Sequence, residues 1–214
     1  AYNEEKRIGN TLKEYSEFFE EKRIKKEVDY QILVVINNTK DKTEEIVKSY
    51  KKNNKHIVYL NFKQGGKGFA IIEGFKEALK KNSDLIGFVD ADCSTDPKEF
   101  FNLIKNIGKY DGIIASRYIK GAIVNPKQSF KRIFVSRIFN FLVRSLFLVN
   151  YKDTQCGAKL FKKEAIQKIV KELVITQWAF DVDLIYKTKL FNMMIFECPT
   201  VWSDREYSKI NFIN

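Results

Sequence analysis

The sequence predicts an α/β fold, a mostly parallel sheet with helices on both faces. Three observations predict it. Strand-length apolar runs at 31–36, 56–60, 85–89 and 112–115 alternate with segments whose apolar residues recur at helical spacing. The run at 31–36 is continuously apolar and rich in Val and Ile, the mark of a strand buried on both faces. A pair of acidic residues, Asp90 and Asp92, follows directly on the run at 85–89, at the carboxyl end where such sheets bind ligands.

Taken in order, residues 6–26 read as a helix with Ile8, Leu12, Tyr15, Phe18 and Phe19 on one face. The strand at 31–36 follows, then a helix at 43–52, the strand at 56–60 and a helix at 68–80 carrying Phe69, Ile72, Phe75, Ala78 and Leu79. After the strand at 85–89, Pro97 opens a helix at 97–107, because its missing N–H is one that a first helical turn leaves unbonded anyway. The strand at 112–115 ends the regular alternation. Beyond it lie helices near 164–170 and 180–190 and a last strand at 193–201. No internal repeat or linker interrupts the chain, and 214 residues suit a single domain.

Thirty-eight Lys and Arg against 27 Asp and Glu leave a net charge of +11, which calls for an anionic partner. The excess is concentrated. No acidic residue occurs between Asp111 and Asp153, while Arg117, Lys120, Lys127, Lys131, Arg132, Arg137, Arg144 and Lys152 all do. Read as a helix, the middle of this interval puts Arg132, Ser136, Asn140 and Arg144 on one narrow polar stripe and leaves the remaining surface apolar. Such a helix either lies in a membrane interface or is sandwiched against the core or a second subunit. Aliphatic and Phe side chains between the cations, without a recognisable RNA or DNA module, argue against a nucleic-acid partner. Cys93, Cys156 and Cys198 are an odd number without metal-type spacing, so a disulfide scaffold or a four-Cys zinc site is not expected. No run of eighteen apolar residues forms a spanning segment.

Asp90 and Asp92, at i and i+2 of extended chain, point the same way. Two carboxylates that close need a cation, and oxygen ligands select Mg²⁺ or Mn²⁺, which in turn binds diphosphate. The alternative is that Asp92 and Asp96 only cap the helix opened by Pro97. Gln64-Gly65-Gly66-Lys67-Gly68 lacks P-loop spacing, yet its glycines allow a ligand close to a helix N-terminus; a flexible turn reads equally well. Asp153 and the pair Asp181 and Asp183 either reach the cleft or serve only a turn and a helix start. His56, the only histidine, is expected to begin a strand, and Cys156 to be a packed thiol.

The ordered set Ala1-Tyr2-Asn3-Glu4-Glu5, Val34-Val35-Ile36-Asn37-Asn38-Thr39-Lys40-Asp41, Gly66-Lys67-Gly68, Asp90-Ala91-Asp92 and Ser116-Arg117-Tyr118 resembles glycosyltransferase family 2. Asp153-Thr154-Gln155-Cys156-Gly157-Ala158-Lys159-Leu160-Phe161 with Phe180-Asp181-Val182-Asp183 is similar to its dolichyl-phosphate glucosyltransferase branch, close to dolichol-phosphate mannose synthase. The resemblance implies a GT-A fold, a Rossmann-like three-layer α/β/α sandwich whose first strand is expected ahead of Ala1. It implies a single catalytic domain over 1–214, with residues 1–118 binding the nucleotide sugar and 119–214 facing acceptor and membrane. Tyr2, Glu4, Val35, Asn37 and Lys67 then line the nucleotide-sugar pocket. Asp90 and Ala91 contact nucleoside and phosphates, Asp92 holds the metal, and Arg117 lies near the diphosphate. Arg205 and Lys209 match a late basic pair, on a shorter spacing. Asp153 and Asp181 match acidic positions on the acceptor side.

One departure carries information. Where the family usually has paired aspartates after the second strand, this chain has Ile36 and Asn37. A carboxamide both donates and accepts, which suits uracil better than the two-donor edge of guanine. The expected reaction is therefore inverting transfer of a sugar, glucose from UDP-glucose being favoured, to a polyprenyl or dolichyl phosphate. It is expected at the cytoplasmic face of an anionic membrane surface, with the chain peripheral or anchored by a segment outside it. The alternative reading keeps the fold with a polysaccharide or soluble acceptor.

Overall fold

The computed structural model describes residues 1–126 and 130–203. Of the expected basic residues, Lys127, Arg205 and Lys209 and the side chains of Lys131 and Arg132 lie outside the described part. The first half alternates as expected: α1 (Ile8–Ile24), β1 (Ile32–Asn37), α2 (Thr43–Asn53), β2 (Ile57–Phe62), α3 (Lys67–Leu79), β3 (Leu85–Phe88), α4 (Pro97–Asn106) and β4 (Gly112–Ser116). The second half runs β5 (Ile123–Asn125), α5 (Phe130–Phe147), β6 (Lys159–Lys162), α6 (Lys163–Ile169), a single 3-10 turn, α7 (Phe180–Leu190), β7 (Ile195–Pro199) and β8 (Val201–Ser203).

Local chemistry sets the start of α4. Pro97 opens α4 as expected, and the Asp96 carboxylate accepts the Glu99 N–H at 3.0 Å, bonding one of the donors a helix start leaves over. Ile8, Leu12, Tyr15 and Phe19 are buried along one face of α1, packing with β1 on one side and with Phe100 and Phe101 of α4 on the other. All five residues of β4 are buried, as a strand covered on both faces requires.

Three strand pairings, β1–β2, β4–β7 and β5–β8, are parallel. The central sheet runs β3-β6-β4-β7, and β6 is antiparallel to both of its neighbours. Periodicity does not mark β6, because a four-residue strand bounded by Lys159 and Lys162 reads as a solvated turn. The single strand expected at 193–201 is two. β7 pairs with β4 and β8 with β5, and the break falls at Thr200, whose hydroxyl donates to Glu99 at 3.2 Å while its N–H donates to the Ser116 carbonyl at 3.2 Å.

Candidate active site

The rim of the site forms where β3 gives out. Asp92 turns back on itself, one carboxylate oxygen accepting the Ser94 N–H at 3.0 Å, with Cys93 in the left-handed region at φ 56°. Its other oxygen faces the Arg7 guanidinium at 3.6 Å, and Arg7 in turn donates to Glu4 at 2.7 Å. The Thr11 hydroxyl donates to the Ala91 carbonyl at 2.9 Å, so the start of α1 is bonded to the Asp90–Asp92 turn. A concavity of about 430 Å³ opens beside Arg7, lined by residues 3–7 with Lys40 and Asp41. A larger one of about 610 Å³ lies between residues 148–151 and 192–197, and none of the expected site residues lines it.

Asn37 ends β1 buried, its side-chain N–H donating to the Gly66 carbonyl at 3.2 Å; its backbone N–H donates to the Ala1 carbonyl, next to which Tyr2 is exposed. Val35 is 9% exposed, and its side chain packs 3.3 Å from where a Cβ on Gly74 of α3 would sit.

Three charged groups converge on the other side of the turn. The Lys67 ammonium, at the first residue of α3, lies 3.1 Å from Asp90 and 3.1 Å from Asp181. Asp181 is buried, and its second oxygen binds the fully buried Lys159 ammonium at 2.5 Å. Burial alone would lower the Lys67 value, but the carboxylates of Asp181 and Asp90 outweigh it and hold the ammonium well above its usual range. Burial would likewise raise Asp181, and the two lysines hold it below the usual carboxylate range. Lys67 can stand there because Gly66 and Gly68 lie against the backbone of Ile175 and Thr176; a Cβ on either would overlap those carbonyls.

Arg117 and Asp153 were expected at the diphosphate and the acceptor, and the structure locks them together. Two guanidinium N–H groups donate to Asp153 at 2.7 and 2.9 Å, and the Arg117 backbone N–H adds a third bond at 3.0 Å. Asp153 has no exposed surface; burial would raise its carboxyl, but Arg117 holds it low. Neither Asp153 nor Asp181 is an open group facing an acceptor, because each is surrounded by cations in the core. Asp183 is also structural, its carboxylate accepting the N–H groups of Val174 and Ile175 at 2.9 and 3.1 Å.

Several residues here were missed in the sequence. Arg7 joins Glu4 to Asp92. Glu197 accepts the Ser116 hydroxyl at 2.7 Å and the Asp153 N–H at 2.9 Å. Asn140 of α5, legible in the sequence only as part of the polar stripe, accepts both the N–H and the hydroxyl of Thr154. Residues 153–159 thus form the spine of the site: Asp153 holds Arg117, Gly157 leaves room that a Cβ would deny the Asp90 carboxylate, and Lys159 holds Asp181. A signal for Lys159 was present, since a lone Lys between Ala158 and Leu160-Phe161 breaks an apolar run. The expected packed thiol is observed, burial pushing Cys156 up to about 11.

Of the polar stripe of α5, Ser136 and Asn140 face inward. Ser136 bonds the Tyr118 hydroxyl at 2.8 Å and Asn140 is buried. The outward face is apolar: Phe134, Val135, Ile138, Phe141, Leu142 and Leu146 are exposed, Leu146 by 75%. Trp178, 66% exposed, extends this face through its contact with the Phe139 ring. No helix among the described residues is long and apolar enough to cross a membrane.

Among the described residues no three His, Cys, Asp or Glu side chains form a metal-holding cluster. The rim offers the partly open carboxylates of Asp90 and Asp92, which fits a hard cation that takes one or two carboxylates and completes its shell with ligand phosphates.

A mostly parallel sheet ending in such a rim is the GT-A architecture. The solved structure of glucosyl-3-phosphoglycerate synthase from Mycobacterium tuberculosis, in complex with UDP, superposes with a TM-score of 0.69 at 14% identity, covering 99% of this chain and 71% of that one. The family model "Glycosyl transferase family 2" matches residues 1–170. Dolichyl-phosphate beta-glucosyltransferase of Dictyostelium discoideum is 34% identical over 99% of this chain and 67% of its own length. The proteins of that name from Drosophila melanogaster and Homo sapiens are each 31% identical over 98% of this chain and 67% of their own. The chain belongs to glycosyltransferase family 2, on the branch of the dolichyl-phosphate β-glucosyltransferases, and spans about two thirds of the length of these relatives.

Proposed function

We propose that this chain transfers glucose from UDP-glucose to a polyprenyl or dolichyl phosphate at the cytoplasmic face of a membrane. The observation that carries the acceptor is the orientation of α5: Ser136 and Asn140 bond inward and Val143 is buried, while Phe134, Val135, Ile138, Phe141, Leu142 and Leu146 face out, within a segment that has no carboxylate from 112 to 152. A helix folded this way presents apolar side chains to lipid while Arg137 and Lys152 remain for head groups. A soluble acceptor would leave that face without a use. The curated relatives carry the dolichyl-phosphate acceptor in their names, and a solved neighbour contains Mn²⁺ with UDP.

On this reading Asn37, with a second N–H and its carbonyl oxygen, pairs with the uracil edge, and Tyr2 and Glu4 line the nucleotide pocket. Asp90 and Asp92 would hold Mg²⁺ or Mn²⁺, which supplies charge stabilisation to a leaving diphosphate when bound. Arg117, whose Nη1 is not used by Asp153, would add positive charge near the same diphosphate. An acceptor phosphate is already ionised near neutral pH, so no side chain need take a proton from it. Its oxygen attacks the anomeric carbon in line, the C1–O bond to UDP breaks, and an α-linked donor gives a β-linked product.

A transfer assay with UDP-glucose, UDP-GlcNAc and GDP-mannose, with dolichyl phosphate in vesicles, tests this. Lipid-linked glucose formed with Mn²⁺ and lost with chelator is expected; preferential transfer from GDP-mannose would overturn the donor assignment. The membrane contact has its own readout. Replacing Phe141 and Leu146 together by Glu is expected to lower co-flotation with anionic vesicles by at least about tenfold, since each side chain contributes about 1.5–3 kcal/mol when buried. UDP affinity should not change, and vesicle binding that survives the change would argue against α5 as the contact.

A further inference from the structure

We propose that Lys159 is a positioning residue of the donor site: by neutralising Asp181 in the core, it leaves the Lys67 ammonium available to Asp90 at the rim. The inference rests on the nucleotide-sugar reading above and assigns a role to a residue that touches no ligand.

Lys159 opens β6, the antiparallel strand in the middle of the central sheet, and is fully buried. Its ammonium binds Asp181 at 2.5 Å and the Cys156 carbonyl at 2.7 Å, and lies 5.4 Å from the centre of the Phe88 ring. A cation in such a place is retained only when paired. From it the charges alternate outward: Lys159, Asp181, Lys67 at 3.1 Å, Asp90 at a further 3.1 Å. Two ammonium groups and two carboxylates cancel.

Without Lys159 the balance fails from the inside. Asp181 is buried and would then have Lys67 as its remaining cation in this chain of charges. The Lys67 side chain is about a third exposed and already lies 3.1 Å from Asp181, which is itself only 3% exposed, so the ammonium would be drawn to the buried carboxylate. Asp90 would lose its ammonium and, where no divalent ion is bound, stand as an uncompensated carboxylate on the rim that receives a diphosphate. The cost therefore falls on the charged part of the donor and spares the base.

Lys159→Met keeps the length and removes the charge. UDP affinity, titrated by calorimetry without divalent ion, is expected to fall about ten- to a hundredfold, by analogy with the loss of an outer partner of a metal-site ligand. Uridine affinity, measured by saturation-transfer NMR, should be unchanged, and Asp181→Asn in the same chain should restore UDP binding. Uridine and UDP weakening together would make Lys159 structural only and overturn the proposal, as would unchanged UDP binding or a failed restoration. If Lys159→Met gives no cooperative melt, Lys67→Met is the substitute; it leaves the Lys159–Asp181 pair intact and must show the same split between UDP and uridine, equal binding again overturning the proposal. An unaltered chain that binds neither UDP nor GDP removes the nucleotide-sugar reading and this inference with it. An unaltered chain that binds, with variants that show no split, removes this inference alone.

Discussion

Replacing Asp153 by Ala is expected to lower the free energy of unfolding by about 3–5 kcal/mol, because it leaves the largely enclosed Arg117 guanidinium, 11% exposed, without a counter-ion. The geometry makes this a large effect. Asp153 has no exposed surface, binds the guanidinium through both oxygens and accepts the Arg117 backbone N–H as well. Urea denaturation should show a lower midpoint with an unchanged slope. Removing both partners, as Asp153→Ala with Arg117→Met, should cost less than the sum of the single changes, since neither charge is then left alone. Additive losses would mean that the pair does not act as a unit.

Asp153 and Asp181 set the response to acid. The folded values of Asp153 and Asp181 lie below the unfolded carboxylate value of about 3.9, so their stabilisation is complete above that value and disappears as pH falls through the folded ones. Arg117 and Lys67 are shifted upward, so their contribution is present throughout the neutral range and is lost only at extreme alkalinity. Thermal stability attributable to these groups should be level near neutrality and decline below about pH 4.

The second large effect is on catalysis. Asp92→Asn is expected to reduce sugar transfer by about a hundredfold or more, the usual scale for removing one group that stabilises developing charge. Its protein contacts are modest, one bond to the Ser94 N–H and a 3.6 Å approach to Arg7, and a quarter of the side chain is open. The melting temperature should therefore hardly move. The comparison with Asp153→Ala is informative: one variant loses the fold's stability, the other only the reaction. A transfer rate within a few-fold of the unaltered chain would remove Asp92 from the site.

Half of the architecture was legible in sequence and half of the site was not, for the same reason. Elements of the first half announce themselves because their apolar residues keep a single period and their ends carry Pro97 and Asp96, so local preference and burial agree. Strand β6 breaks that agreement. Its lysines suggest solvent, yet Lys159 is buried because Asp181, twenty-two residues later, waits for it. The α5 helix shows the opposite limit. Its polar stripe was legible, but whether that stripe or the apolar surface faced outward depended on Thr154 and Tyr118, which bond Asn140 and Ser136.

Sequence alone determined the α/β alternation, the carboxylate pair after β3 and the family that the ordered motifs define. These are properties of spacing, and spacing survives being written in one dimension. The tertiary structure decided which carboxylates are open and which are neutralised: Asp90 and Asp92 keep part of their surface at the rim, while Asp153 and Asp181 are enclosed by Arg117, Lys67 and Lys159. All four are plain aspartates in the chain. What separates them is the free energy of removing a charge from water, which is set by cations brought in from distant segments when the sheet closes.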